Sequence, residues 1–297
     1  MNAIHINGRE YKLLLKPKKF KTFKGDPSAA LANAFWMDHL KPIIQRHLDE
    51  RSGRKARFKG EFDAAKIRNV RFWDTKGHAL ASCDLSLRQR GKASGAQEMT
   101  LKLRTSDLFI SGLTAVPGSE PDAKTKFEED ISPLQVQRSP SGPGRHVVAD
   151  YGATQSRFSR STTQSIDAVP STLAQACKLF PSLKQTLMCH DKRDGRKRDL
   201  DLKARLRPGP AIEEHVFKGP KVDLGGGITG EFTLTLWYFE KRRRAPKVSE
   251  ISFKCEIDGL MRLPAAQRAH SLFVAMQEEL ADWANTQDAS KTALALP

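Results

Sequence analysis

Polar and apolar residues alternate along several segments of the chain, which is the pattern of strands with one buried face. Residues 4–16 alternate until Pro17 and predict a first strand that places Glu10 and Lys12 on one face. Further strand patterns occur at 55–75, 84–104, 126–131, 231–240 and 248–257, and the second of these predicts a hairpin. The chain is therefore expected to build most of its core from strands.

Helical spacing of apolar residues occurs in three other segments. Asp26 and Pro27 form a helix start, because a capping side chain precedes a proline at the first helical position. Residues 171–188 predict one or two short helices broken at Pro181, and a last helix is predicted to begin near Pro264. These helices are expected to cover a sheet, which gives an α+β fold class.

Two segments have weak periodicity. Residues 138–170 are rich in Ser, Gly, Pro, Thr and Arg, and they are interpreted as a surface excursion or flexible insertion because strand patterns resume afterwards. Residues 287–297 are expected to be a disordered tail. The chain is accordingly assigned to a single domain over residues 1–297.

Positive charge is the main feature of the composition. The 297 residues include 50 Lys and Arg against 34 Asp and Glu, a formal net charge of +16. Such an excess favours phosphate-rich partners, either a small polyphosphate or a nucleic acid. The basic runs Lys192–Arg198 and Lys241–Arg244 are candidates for nucleic-acid contact, although such runs are more often solvated loops and these lack the interleaved aromatic residues of a stacking platform.

The sequence favours a cytoplasmic protein that does not bind a membrane. Residues 1–16 lack the charged start, apolar middle and cleavage site of a secretory signal. No apolar stretch is long enough to cross a bilayer. The 4 cysteines show no C-x-x-C pair and are too sparse for a disulfide framework, so a zinc thiolate site is not expected either.

The hairpin at 84–104 concentrates cations on one face. Successive strand side chains point to opposite sides, so Arg88 and Arg90 lie together, as do Lys102 and Arg104 on the partner strand. Taken alone, this favours a solvated basic face. If the four cations instead face a shared interior, the cost of desolvating them demands an anionic partner.

The most specific motif is RFWDTKGHALASCDLSLRQR at 71–90, an aromatic-Asp-Thr turn followed after a short spacer by Arg-x-Arg. This motif resembles the Y-F-D-T turn and L-R-x-R strand of the CYTH domain family, also called triphosphate tunnel metalloenzymes. TLKLR, KFEEDI and SEISFKCEI are similar to that family's next strand, its acidic strand and its late E-x-E-type strand. The resemblance extends in order over residues 4–285 and is weakest across 138–225.

The resemblance implies a closed or nearly closed antiparallel β-tunnel of eight strands with external helices. In that fold, basic side chains hold a triphosphate, and carboxylates hold Mg²⁺ or Mn²⁺, which can orient a water and offset charge in phosphoryl transfer. The implied ligand is inorganic triphosphate, polyphosphate or an organic triphosphate, and the implied enzyme activity is its metal-dependent hydrolysis.

The resemblance also carries over to individual residues. The implied substrate-binding residues are Arg88, Arg90, Lys102 and Arg104, with Lys203 and Arg205 as weaker additions. The implied metal ligands are Glu10, Glu128, Asp130 and Glu250. Glu10 and Lys12 match the end of the first-strand signature and are the implied catalytic residues.

Three positions depart from the family pattern. Gly8 stands where the first-strand signature has a carboxylate, and Ser252 and Lys254 stand where carboxylates are usual in the late strand. A cation at Lys254 opposes a dication at the same place. Two hypotheses follow, a metal-dependent triphosphatase and a non-catalytic module that binds polyphosphate or nucleic acid and has lost the metal site. Under the second hypothesis, Glu10, Glu128 and Glu250 form ion pairs with the tunnel cations instead of binding a metal.

Overall fold

The computed structural model describes residues 4–21, 29–52, 56–91, 95–137, 146–148, 152–191, 200–239, 245–257, 263–286, 291 and 293–297. The strands are β1 (Gly8–Leu15), β2 (Phe58–Lys59), β3 (Lys66–Thr75), β4 (Leu85–Gly91), β5 (Gln97–Thr105), β6 (Lys124–Pro133), β7 (Gln135–Gln137), β8 (His146–Val148), β9 (Thr154–Ile166), β10 (Leu206–Pro208), β11 (Ile212–Gly225), β12 (Ile228–Phe239) and β13 (Val248–Glu256). The helices are α1 (Ala29–Phe35), α2 (Lys41–Ser52), α3 (Leu108–Leu113), α4 (Leu173–Leu179), α5 (Leu183–Asp191) and α6 (Leu263–Glu279).

Nine strands form a closed ring in the order β3, β4, β5, β9, β6, β1, β13, β12 and β11, and β11 pairs again with β3. All neighbouring pairs in the ring are antiparallel except β1 and β6, which are parallel. The α+β class is confirmed. The predicted number of strands is wrong, because the ring has nine rather than eight.

One ring strand lies in the segment that was interpreted as a surface excursion. Within 138–170, β9 spans 13 residues and pairs with β5 on one side and β6 on the other. Its Ser and Thr side chains form cross-strand hydrogen bonds, such as Thr163 Oγ1 to Thr100 Oγ1 at 2.8 Å and Thr162 Oγ1 to Thr125 Oγ1 at 2.7 Å. Such pairs stabilise a sheet without the apolar alternation that reveals a strand in sequence.

Over most of the ring, the apolar faces of the strands point outward, towards the helices. Helices α1, α2 and α6 cover one arc, where Tyr11 stacks on Phe253 with ring centroids 4.6 Å apart and both pack with Phe273 of α6. Helices α4 and α5 cover another arc, where Leu87 and Leu101 pack in a second cluster. Because strand side chains alternate, the polar positions of these strands form the inner face of the ring, called the interior below.

Helices α4, α5 and α6 agree with the sequence pattern. α4 ends at Leu179 and α5 begins at Leu183, which confirms the predicted break at Pro181. α6 begins at Leu263, beside the predicted Pro264. The predicted start at Asp26 and Pro27 lies outside the described residues. No helix in the described part of the chain is long and apolar enough to span a membrane.

The end of the chain is more ordered than the sequence predicts. Residues 287–290 and 292 lie outside the described residues, but Ala293–Ala295 form a 3₁₀ turn. Ala295 is fully buried in an apolar cluster with Phe72, Trp237 and Val248. A β-carbon at Gly209 would lie 2.1 Å from the Ala295 carbonyl oxygen, so a glycine is required for this close approach.

The aromatic-Asp-Thr turn is built around the buried Asp74 carboxylate. Its Oδ1 accepts hydrogen bonds from the backbone N–H groups of Thr75 and Leu80, and its Oδ2 accepts one from Ala81. These bonds fix the turn that aligns β3 with β4. The aromatic-Asp-Thr motif therefore has a structural role, because its carboxylate fixes the backbone of the turn.

We expect Asp74→Ala to lower the free energy of unfolding by roughly 2–4 kcal/mol, because buried N–H groups lose their acceptor. Urea unfolding followed by circular dichroism measures the change. Asp63→Ala, at an exposed carboxylate, is the control and is expected to change stability by less than about 0.5 kcal/mol. Equal effects of the two substitutions would show that Asp74 does not hold the turn.

Candidate functional site

The interior brings together every sequence-predicted site residue except Lys203 and Arg205. Register pairs Glu10 of β1 with Asp130 of β6 and with Lys254 of β13. On the facing arc, the same alternation places Arg88 and Arg90 on β4 and Lys102 and Arg104 on β5 along one face, opposite to the outward leucines. The hairpin cations thus face an enclosed interior rather than bulk water, which decides between the two interpretations of the hairpin.

Asp130 is the centre of the largest ion-pair network that the described residues form in the interior. Its carboxylate lies 2.7 Å from Lys12 Nζ, 3.4 Å from Lys102 Nζ and 3.2 Å from Arg104 Nε. The Asp130 side chain is only 1% exposed. Burial opposes ionisation, but attraction from the three cations outweighs it and holds the pKa of Asp130 well below its usual range.

Lys102 is less well compensated than Lys12. Burial lowers the pKa of Lys102 to about 8, and attraction by Asp130 only partly opposes the effect of burial and of neighbouring cations. For Lys12, burial is outweighed by Asp130 and then by Glu10, which raise its pKa. The ammonium of Lys102 is therefore the one of the two that an added anion would stabilise.

A second network joins Arg68, Arg88 and Arg90 with Glu214 of β11. Glu214 Oε2 accepts a hydrogen bond from Arg90 Nη2 at 3.1 Å and lies 3.8 Å from Arg68 Nη1, while Oε1 accepts one from Trp237 Nε1 at 3.1 Å. Burial raises the pKa of Glu214, but Arg90 and then Arg88 attract the carboxylate more strongly, and the net shift is downward. This buried carboxylate anchors the arginine cluster.

Arg88 is the least compensated member of that cluster. Its Nε is buried and has no hydrogen-bond acceptor within the described part of the chain. Burial, and next repulsion from Arg90, lower the pKa of Arg88 to about 10. A buried guanidinium N–H without an acceptor is costly, and an anionic ligand would supply one.

The acids of β1, β6 and β13 are also paired with cations. Glu128 Oε1 lies 2.7 Å from Lys254 Nζ. Glu10 lies 2.9 Å from Lys12 Nζ and accepts a hydrogen bond from Ser252 Oγ, also at 2.9 Å. Glu250 pairs with Lys291, whose ammonium also lies 5.3 Å from the centre of a Trp237 ring.

These acids do not fit a divalent metal in the arrangement seen here. The resemblance implied Glu10, Glu128, Asp130 and Glu250 as ligands, yet each of them contacts a lysine ammonium. Over the described ranges, no group of three or more His, Cys, Asp or Glu side chains is placed to hold a metal ion. The metal-ligand role of these residues stays a prediction, and no reaction step is assigned to Mg²⁺ or Mn²⁺.

Lys203 and Arg205 lie outside the ring. Both side chains are exposed, and Arg205 forms a backbone bridge with Thr172 just before α4. The structure therefore does not bring these two residues to the interior cations. The basic runs Lys192–Arg198 and Lys241–Arg244 lie outside the described residues, and nucleic-acid contact through them stays a prediction.

Several interior residues were not identified from the sequence. Arg68 and Glu214 form an ion pair across a register pair between β3 and β11. Arg157 of β9 is in register with Asp130, and its side chain is exposed. Partial burial, and next repulsion from Arg104, lower the pKa of Arg157. A signal existed for Arg68, because it lies two and four residues before Val70 and Phe72 and therefore shares one strand face with them. Its partner Glu214 could not be predicted, because the sequence of β3 or of β11 alone does not determine the register between these two distant strands.

No family model and no curated protein matches the chain. A Hippeastrum protein, described as a candidate adenylyl cyclase with a dominant triphosphatase activity, is 13% identical with a TM-score of 0.36 and covers 96% of this chain and 93% of its own. A candidate adenylate cyclase from Bacillus halodurans is 12% identical with a TM-score of 0.33, covering 96% of this chain and 95% of its own. One from Vibrio parahaemolyticus is 10% identical with a TM-score of 0.29 and covers 96% of both chains. The structural neighbours of this chain are adenylate cyclase-like and triphosphatase proteins.

Proposed function

We propose that this protein binds a triphosphate or a short polyphosphate in the cationic interior of the ring. The observation that carries the proposal is the buried arginine cluster of β3 and β4, in which Arg88 Nε lacks an acceptor among the described residues. Arg90 and Arg68 share the Glu214 carboxylate. A ligand that brings its own negative charge would complete this cluster.

The distribution of the poorly compensated cations favours an extended anion over a single small one. Arg88 lies on β4 opposite Thr100, and Lys102 lies two residues along the neighbouring strand β5. Such diagonal positions separate the β-carbons by roughly 7–8 Å. A chain of phosphoryl groups can offer separate oxygens to each of these two side chains, whereas one carboxylate or one phosphate would have to be shared between them.

Binding rather than hydrolysis is the activity that the described contacts support. Cations that could hold phosphoryl groups line the interior, which supports binding, while the carboxylates that hydrolysis would require for a metal are engaged with lysines. Metal-dependent hydrolysis would require those ion pairs to open. The function proposed for this protein is therefore polyphosphate binding without hydrolysis.

Calorimetric titration in EDTA tests the proposal. The wild-type protein is titrated with phosphate, diphosphate and tripolyphosphate at physiological ionic strength. We expect saturable binding of tripolyphosphate at one site, with affinity increasing along the series because each added phosphoryl group reaches a further cation. Absence of binding, or equal weak binding of all three anions, would contradict the proposal.

The affinity for tripolyphosphate is expected to fall by roughly tenfold between pH 7 and 9.5, since one charge-assisted hydrogen bond is lost. Lys102, with a pKa of about 8, is charged below that pH and becomes neutral above it. An anion binds the charged form better, so affinity is higher on the acid side. Lys102→Arg keeps its charge over this range and is expected to flatten the profile. The same pH dependence in both proteins would exclude Lys102 as its source.

A further inference from the structure

We infer that the Lys254 ammonium is a built-in counter-ion for the acidic side of the interior, so that the phosphate chain is held without a divalent metal. This inference rests on the proposed function and specifies its cation requirement. Lys254 Nζ lies 2.7 Å from Glu128 Oε1, and the two side chains are 25% and 17% exposed. The charge of an acid that would otherwise attract an external cation is thus balanced from within the chain.

The position of Lys254 depends on the absence of a side chain at residue 8. Lys254 belongs to β13, whereas Glu128 belongs to β6, and β1 lies between these two strands. In the ring, Gly8 is the residue of β1 in register with Glu128. The lysine side chain therefore crosses over Gly8 to reach its partner.

The space above Gly8 is filled by the lysine. A β-carbon at Gly8 would lie 2.6 Å from Lys254 Cε and 3.4 Å from Nζ, and the first distance is too short without movement of the lysine. The φ angle of Gly8 is not in the left-handed region that favours glycine. Close approach of Lys254, rather than backbone conformation, accounts for the glycine, and the two residues form a matched pair.

The ammonium interacts with more than one acid. Burial lowers the pKa of Lys254, but its hydrogen bond and coulombic contact with Glu128 raise it, as does coulombic attraction from Glu10 and Glu256. The net shift of the pKa is upward. A divalent ion brought to the same acids would be repelled by this fixed charge. Free Mg²⁺ or Mn²⁺ is then expected to compete for tripolyphosphate in solution instead of supporting its binding.

Two measurements on the full chain test the inference. Electron paramagnetic resonance counts free Mn²⁺ in the presence of protein alone, and calorimetry measures tripolyphosphate affinity in EDTA and in Mn²⁺. For the wild type we expect no specific Mn²⁺ binding, and an affinity in EDTA at least equal to that in Mn²⁺.

Lys254→Ala is the informative variant. Removing the ammonium leaves Glu10, Glu128 and Glu256 without this cation, so Mn²⁺ affinity is expected to increase at least tenfold over the wild type. Gly8→Ala, which displaces the lysine while keeping its charge, gives a second variant that is expected to weaken metal-free tripolyphosphate binding severalfold. Lys247→Ala removes an exposed lysine one residue before β13 and is expected to match the wild type in both measurements.

The inference is overturned by wild-type protein that binds Mn²⁺ as tightly as Lys254→Ala does. It is also overturned if wild-type tripolyphosphate binding disappears in EDTA and returns with Mn²⁺. A wild type that binds no tripolyphosphate with or without metal contradicts the proposed function instead, and the Mn²⁺ measurement on protein alone then decides whether Lys254 excludes the metal.

Discussion

Arg88→Ala is expected to weaken tripolyphosphate binding by about 2–3 kcal/mol, or roughly 30- to 150-fold in Kd, because it removes charge-assisted hydrogen bonds to the ligand. Calorimetry in EDTA measures the loss. Arg71→Ala is the matched control, since Arg71 lies beside Phe72, the register partner of Arg88, but is exposed on the outer face of β3. Its effect on Kd is expected to be less than about threefold.

The same Arg88 substitution should leave the unliganded fold as stable as the wild type, or more stable. Without a ligand, the buried Arg88 guanidinium is repelled by Arg90 and Arg68. Removing the Arg88 side chain relieves that repulsion. Residues that bind a ligand often lower the stability of the unliganded fold in this way. A fall in stability together with unchanged affinity would identify Arg88 as a structural residue and contradict its role in binding.

Asp130→Asn is expected to lower the free energy of unfolding by about 3–5 kcal/mol, because three cations are left around a buried neutral group. Denaturant unfolding measures the loss. Glu129→Gln is the control on the opposite face of β6, where the carboxylate pairs with Arg9 at 2.7 Å, and the Arg9 side chain is 29% exposed. Its cost is expected to be smaller, since only one partly solvated cation loses its partner.

A phosphate ligand should restore part of the stability of Asp130→Asn. Tripolyphosphate at 100 times its Kd stabilises the folded state by about 2.7 kcal/mol. The gain measured with the variant is expected to equal or exceed that of the wild type, because the ligand meets cations freed from Asp130. A variant that unfolds equally with and without the ligand would contradict the position of Asp130 beside the bound phosphate chain.

The pH dependence of stability gives an independent check on Asp130. Its folded pKa lies below the unfolded value of about 3.9, so its contribution to stability is complete above that pH and is lost as pH falls through the folded pKa. Asp130→Asn lacks this contribution at every pH. The difference in stability between wild type and variant should therefore narrow as pH is lowered below about 4.

The sequence was informative where one segment carries the whole signal. The alternation of Arg88 and Arg90, and of Lys102 and Arg104, correctly gave two cationic strand faces within one hairpin. The Asp74 turn was conspicuous because a local carboxylate satisfies local backbone groups. Short-range physics of this kind depends only on neighbouring residues, so it can be predicted from them.

Features that depend on register between distant segments were not predicted. Strand β9 was missed because its hydroxyl-rich faces conceal the alternation, and the number of ring strands was wrong. The pairing of Glu214 with Arg68 and Arg90 requires β11 to lie against β3. The passage of Lys254 across Gly8 likewise follows from the order of β6, β1 and β13 in the ring.

The most direct test of phosphate binding in the interior is a crystal structure of the protein with tripolyphosphate in EDTA. We predict three phosphorus positions inside the ring, with phosphoryl oxygens within about 3.2 Å of the Arg88 guanidinium and the Lys102 ammonium. Tripolyphosphate bound only to basic segments on the outside of the ring, with Arg88 free of phosphate contact, would contradict the account.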